Sequence, residues 1–313
     1  MKTPILFIIF NRPDVTAKSF AAIRKIRPTT LYIAADGPRP QKENDPALIK
    51  ETRAIVEKID WDCDVKYNYQ DKNLGCKMGV SGAITWFFSH EPEGIIIEDD
   101  LIPDPSFFPY CEKMLERYRH DTRIMMITGT NYLSDMNTSS PYFYSEHFTI
   151  WGWATWARAW QYYDVTMAQW DDPKNREFIQ YKFQKSYIAD HFTSTFKLIE
   201  DGMDTWDIQW VLTCLLASGL CITPKVNLIS NIGLEGTHSS SETDSHNLPT
   251  QSLDLCQLDN AQPSVHLNSS YDNELHRLKS KPALRHRKFI ECAKKLGLYA
   301  SLKFLHRTIS KVG

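Results

Sequence analysis

Short runs of strand-forming residues alternate with helix-length stretches through the first 128 residues, and this alternation leaves few folds open. The runs are ILFIIF (5–10), LYIAAD (31–36), DVKYNY (64–69), GIIIE (94–98) and RIMMIT (123–128). Helices are predicted between them at 14–26, with Asp14 as N-cap, and at 46–59, 77–89 and 106–118. Strands alternating with helices of this length build βαβ units, hence an α/β fold around a mostly parallel sheet. The short apolar runs suit strands covered on both faces. In such sheets ligands sit beyond the carboxyl ends of the strands. Asn11, Asp36 and Glu98–Asp100 fall at predicted strand ends, so they are expected on one rim.

The second half is patterned differently. TIWGWATWARAW (149–160) places four tryptophans in twelve residues, which reads as aromatics at a helix start. Mixed helices follow to 200, then an amphipathic helix at 205–219 with a Gly219 stop, and a strand at 220–224. From 239 to 270 the chain turns polar and reads as a loop. The segment 284–312 reads as one or two basic amphipathic helices.

Length and charge narrow the class. A chain of 313 residues is one large domain, or one domain with appendages. No apolar run approaches the roughly 20 residues that cross a bilayer. PILFIIF runs straight into NRPD and is short for a signal-peptide core, so a cytoplasmic protein is expected. The seven cysteines are scattered with no Cys-x-x-Cys pair, which argues against zinc or a disulfide framework. From Arg277 onward there are eleven Lys or Arg and one acid, Glu291, so the formal net charge of −2 hides a basic end on an acidic body.

The acids after the fourth run carry the chemistry. Carboxylates gathered at the end of an apolar strand repel one another unless a cation neutralises them. A hard divalent ion, Mg²⁺ or Mn²⁺, suits such all-oxygen donors and commonly takes substrate phosphates as well. The competing reading is a solvated acidic turn capping the next helix. NLGCKMGVSG brings Gly75, Gly79 and Gly82 to a helix start, either as a phosphate cradle or as a capped loop with close helix–sheet packing.

The succession FNRPD, ADGPR, NLGCKMG, IIIEDDLIPDPSFF and WGWATW resembles the GT-A nucleotide-sugar glycosyltransferases. More narrowly it is similar to N-acetylglucosaminyltransferase I and its bacterial relatives, over residues 3–240 or so. The resemblance implies a Rossmann-like GT-A domain over 1–238, with a nucleotide-sugar half at 1–130 and an acceptor half at 131–238. A polar linker at 239–273 and a basic helical tail at 274–313 would follow. It implies that Glu98-Asp99-Asp100 is this chain's version of the Asp-x-Asp motif. Asp100 would be the metal ligand, and Glu98 and Asp99 would bind ribose or hold the metal's waters. Asp36 would contact uridine, with Asn11 and Arg12 beside it, and Lys77 would pair with a phosphate. TWDIQW resembles the family's Trp-Asp-Asp-Trp segment and makes Asp207 the catalytic base, although Ile208 stands where the family has a second acid. GLEGTHS resembles the family's Gly-x-Ser-His stretch, so His238 would reach the pyrophosphate or the metal. The family's Golgi anchor is not expected for this chain.

Elementary chemistry runs the same way. Inverting sugar transfer needs a base on one face of the anomeric carbon and leaving-group stabilisation on the other. Asp207 lies between Trp206 and Trp210, where desolvation would raise its pKa; the alternative is an exposed helix-start Asp favoured by the dipole. Trp151 and Trp153 could wall a sugar ring, Gly152 would permit close approach or an unusual backbone angle, and Asn131 could touch an acceptor. The expected activity is a metal-dependent, inverting glycosyltransferase that uses a UDP-sugar donor and a glycan or lipid-linked glycan acceptor, as in bacterial surface polysaccharide assembly. The basic tail would lie on an anionic membrane or pack on the acidic body, and no nucleic-acid partner is expected. The alternatives are a noncatalytic nucleotide- or sugar-binding module of the same fold, and a sugar nucleotidyltransferase. The latter would normally show a glycine-rich basic loop after the first strand, which NRPDVT does not supply.

Overall fold

The computed structural model describes residues 1–134, 136, 138–183, 186–233 and 248–279. His238 and most of the basic tail lie outside them. The order is β1 (Ile5–Ile9), α1 (Pro13–Ile26), β2 (Thr30–Ala35), α2 (Asp45–Val56), β3 (Asp64–Tyr69), α3 (Gly75–Phe88), β4 (Glu93–Glu98), β5 (Leu101–Pro103), α4 (Phe107–Tyr118), β6 (Ile124–Thr128), β7 (Tyr142–Ser145), β8 (Trp153–Trp156) and α5 (Ala157–Trp160). Then come a short 3-10 turn, α6 (Pro173–Lys182), α7 (Ser186–Glu200), α8 (Asp207–Leu216), β9 (Leu220–Pro224), β10 (Ile229–Asn231), α9 (Leu255–Asn260) and α10 (Ser269–Lys279).

Eight strands form the central sheet in the order β3-β2-β1-β4-β8-β6-β9-β7. The β3-β2-β1-β4 part is parallel: β1 pairs with β2 and β4 (Ile5 opposite Leu31 and Ile95), and β2 with β3. β8 enters antiparallel between β4 and β6, and β7 runs antiparallel to β9. The architecture is therefore α/β, with a mostly parallel sheet that turns mixed at its far side. The sequence reading of 149–160 as a helix start is corrected here: Trp153–Trp156 is a strand buried on both faces, and only Ala157–Trp160 is helical. Bulky aromatic and β-branched residues fit a pleated, covered surface, which decides the matter for Trp153, Thr155 and Trp156.

Side-chain parity builds three layers. Ile5, Phe7, Ile9, Ile95 and Ile97 join α1, α2 and α4 in one core. Leu6, Ile8 and Ile96 join α3 and α8 in the other, together with Trp153, Trp160, Trp206 and Trp210. By the same alternation Glu98, two residues after Ile96, faces the α3 and α8 side.

A small second ribbon, β5 paired antiparallel with β10, lies just past the acids. The expected polar loop is also corrected: within 239–273 the chain forms α9 and begins α10, and the expected boundary at 273 falls inside α10. The polar composition hides one apolar stripe, Tyr271 and Leu275 at i and i+4, which packs on Phe143 of β7. Among the described residues no helix is long and apolar enough to cross a membrane.

Candidate active site

The carboxyl ends of β1, β2 and β4 open into a cleft of about 870 Å³, within the range of small-molecule sites. Parallel pairing is what puts these ends side by side. Phe10, Asn11 and Arg12 follow β1, Asp36 follows β2, and Glu98, Asp99 and Asp100 close β4. The opposite wall carries Asp204 and Asp207 from the start of α8, and Trp151.

Arg12 sits at the N-cap of α1, where Pro13 follows it. Its guanidinium donates to Asp99 through Nη2, to Asp99 Oδ2 through Nε at 3.4 Å, and to Asp100 Oδ2 through Nη2 at 3.1 Å. Burial works against that charge, but Asp99 and Asp100 outweigh it and hold the guanidinium firmly protonated. Burial also pushes the Asp99 carboxyl up, to about 6, against the pull of Arg12. Glu98 rises further, to about 8, through burial and the negative charges of Asp100, Asp99 and Asp207. Among the described residues no donor pairs with the Glu98 side chain, so its carboxyl is left facing the cleft.

Asp36 is spent on the protein itself. It accepts from the backbone N–H groups of Gly37 (2.8 Å), Leu74 (2.9 Å) and Gly75 (3.1 Å), and from Asn73 Nδ2 (2.9 Å). Burial raises its pKa while these donors oppose the rise. Its place is thus to clamp the 73–75 turn against β2, and the expected uridine contact has no free oxygen lone pair left in this arrangement. The N-terminus of α3 is filled in the same way. Asp204 accepts from Cys76 and Lys77 N–H, each at 2.9 Å. Two protein carboxylates occupy the expected phosphate cradle, and Lys77 is not among the residues lining the cleft. Gly75 has φ +80, and a Cβ there would press on the Asp204 carboxylate, so glycine is what admits that cap.

Asn11 faces the cleft but ties its Nδ2 to Asp45 Oδ1 at 2.9 Å. Asp45 is buried and forked by Arg39 (2.7 and 2.9 Å), whose hydrogen bonds hold its carboxyl down at about 2. Asp207 is the first residue of α8, half-buried, and accepts a hydrogen bond from the Thr205 hydroxyl. Trp151 is partly exposed to the cleft and lies 5.7 Å from the Tyr132 ring centroid.

Three expected contacts belong to the core instead. Trp153 is fully buried against Trp160, Trp206 and Trp210, the Trp206 ring stacked at 5.7 Å. Gly152 takes the second of its two expected roles, an unusual backbone angle at φ +58, and a Cβ there would run into Ile229 of β10 rather than toward any ligand. Asn131 is buried and donates to the Pro224 and Lys225 carbonyls, both at 2.9 Å. Strand pairing, which residue type alone does not reveal, buried them.

Residues the sequence reading passed over also line the cleft: Arg39, Asn68, Gln70, Asn73, Asp204 and Asn231. Asp204 was visible as an acid three residues before Asp207, but its target lies 128 residues away. At the end of β2's neighbour β3, Gln70 Nε2 donates to Asn68 Oδ1 at 2.8 Å.

The metal question turns on the donor set. Among the described residues no three His, Cys, Asp or Glu groups converge as a ready-made metal site. Arg12 already bridges two of the three rim acids. The donors nonetheless fit a hard divalent ion: Glu98 has no hydrogen-bond partner among the described residues, Arg12 engages Asp100 through Oδ2, and both acids line the cleft.

No family profile matches the sequence. No curated protein matches it. Solved structures it is similar to include HddC from Yersinia pseudotuberculosis, at 10% identity over 40% of this chain and 57% of that one, with a TM-score of 0.28. Others are UTP-bound UGPase from Acinetobacter baumannii (9% identity, 76% of this chain, 95% of that one, TM-score 0.37) and apo mouse xyloside xylosyltransferase 1 (8%, 69%, 81%, TM-score 0.36). The chain spans just over half the length of HddC, 57%. With TM-scores this low, the reading of the cleft rests on its own residues.

Proposed function

We propose that the protein is a nucleotide-sugar glycosyltransferase of the metal-dependent, inverting kind, with a UDP-sugar as donor. The observation that carries this is one cleft with Asp207, the carboxylate of the α8 wall that no backbone N–H group among the described residues engages, and the Glu98–Asp100 acids with Arg12 on the strand rim. Such a site can remove a proton from an acceptor hydroxyl at one side and neutralise a departing diphosphate at the other. Asp207 is the base. The Thr205 hydroxyl holds one of its oxygens and leaves the other for the acceptor. Arg12 offers a planar fork of donors matched to phosphate oxygens. Trp151 gives the acceptor side an aromatic face. A divalent ion, held by Asp100 with Glu98 or Asp99, would supply Lewis-acid stabilisation of the leaving diphosphate. His238 belongs to this reading through the resemblance alone. The acceptor is a glycan, free or lipid-linked.

Full-length protein incubated with a panel of nucleotide-sugars, with and without Mn²⁺, tests the proposal. Expected are metal-dependent protection against thermal unfolding by a UDP-sugar and slow release of UDP. Formation of a UDP-sugar from UTP and a sugar phosphate would replace transfer by nucleotidyl transfer. Tight nucleotide binding without turnover on any acceptor would reduce the protein to a binding module.

A further inference from the structure

The rim acids carry their own cation. One guanidinium spans two successive carboxylates, and the arrangement is fixed from both sides. Pro13 disfavours the helical backbone region at Arg12 and leaves it extended at φ −119, ψ 77, at the N-cap of α1. Asp99 is buried, Ser19 Oγ donates to its carbonyl at 2.7 Å, and its carboxylate takes Arg12 in the two-pronged manner. Asp100 points the same Oδ2 at Arg12 and toward Gly233, where no Cβ could be accommodated. This is a finished ion-pair triad, with the Arg12 side chain 32% exposed and the two acids 4% and 18% exposed.

We propose that Arg12 is an internal counter-ion that competes with the divalent cation for Asp99 and Asp100, and that a nucleoside diphosphate releases it. This rests on the metal-dependent reading above. A guanidinium and a divalent ion repel each other when both seek the Asp100 carboxylate, so either excludes the other. A diphosphate presents oxygens that suit the same fork of N–H donors. Once Arg12 turns to the diphosphate, the carboxylates stand open to the cation. Nucleotide and metal therefore promote each other's binding through one moving side chain, and the coupling is equal in both directions. The chain is spared three adjacent unneutralised acids when no nucleotide is bound. It is also spared a metal held idle in its absence.

The test is Mn²⁺ binding to the full-length protein, read from the electron paramagnetic resonance of free Mn²⁺. Without nucleotide, Arg12→Met is expected to bind Mn²⁺ about ten-fold more tightly than the wild type, a usual size for a coupling of this kind. With UDP, the wild-type affinity should rise by a larger factor than that of the variant. Equal or weaker nucleotide-free affinity in Arg12→Met overturns the competition. So does binding by neither protein without UDP but by both with it, an outcome that leaves the metal reading standing. Binding by neither protein under any condition overturns the metal reading itself. Should Arg12→Met fail to fold, the wild type answers alone. Its Arg12 Nε–Hε nuclear magnetic resonance signal, assigned with Arg12→Lys, is expected to shift on adding UDP with Mg²⁺, and an unmoved signal overturns release.

Discussion

At the scale of single residues, the cleft shows how much of a carboxylate's role is set by what donates to it. Asp36, Asp204 and Asp207 are all acids near element ends, yet Asp36 takes four donors, Asp204 two backbone N–H groups and Asp207 a single hydroxyl. Asp36→Asn swaps an acceptor for a donor where four donors already point, and should destabilise the fold by about 1–3 kcal/mol, seen as a lower midpoint in urea. Asp207→Asn should keep donor affinity while kcat falls by about 10²–10⁴-fold, the usual worth of a general base; an unchanged transfer rate removes Asp207 from that role. Glu98 gives a pH signature. Its folded pKa of about 8 lies above its ordinary 4.5, so the folded state holds a proton that the unfolded state releases. Stability from this group is therefore complete below 4.5 and is lost as pH rises through about 8. Glu98→Gln should narrow the fall in thermal midpoint between pH 5 and pH 8 that the wild type shows, as measured by calorimetry. The place of the acids at a strand end was legible in GIIIEDD, because an abrupt change from apolar residues to charges marks where a buried strand reaches its rim. Which of them would meet Arg12 was not, since 87 residues separate Arg12 from Asp99.

At the scale of elements, the helices and strands up to Thr128 follow from local pattern except β5, whose three residues are too few to show a period, and the later deviations have identifiable causes. Trp153–Trp156 escaped the pattern because it puts a tryptophan on each face, Trp153 on one and Trp156 with Ala154 on the other, and only Thr155 is polar, so no period marks it. The burial of that strand also explains Gly152, whose left-handed φ of +58 lets the chain pass Ile229 into β8. Gly152→Ala should lose about 1–3 kcal/mol from crowding, with roughly 1 kcal/mol more from the backbone, read as a shifted denaturation midpoint. α10 is the other case. Asp272 accepts from Ser145 Oγ at 2.6 Å and from Glu146 N–H at 3.0 Å, and so fastens α10 to the end of β7. Asp272→Ala should leave the Glu146 N–H without its partner and lower stability by about 1–3 kcal/mol. Amide exchange should quicken in α10 before it quickens in β1, and uniform quickening throughout would mean that α10 is not a separate docking unit.

At the scale of the whole molecule, α9 and α10 close the far end of the sheet, since Leu258 and Leu275 are fully buried. A chain ended before Leu248 should melt lower and less cooperatively than the full chain. The cleft is assembled from segments near residues 11, 36, 98, 151, 204 and 231, so none of its walls exists before the sheet does. The sequence by itself determined the alternation of strands and helices and put Asn11, Asp36 and the Glu98–Asp100 acids at strand ends, because periodicity and strand-end chemistry are local properties. Tertiary structure decided that β8 separates β4 from β6, and that Asn131 and Trp153 are buried. It also decided that Asp36 and Asp204 cap one helix and that Arg12 neutralises two acids. Those outcomes depend on which distant backbone donors and charges arrive at each side chain, and only strand order and register bring them there.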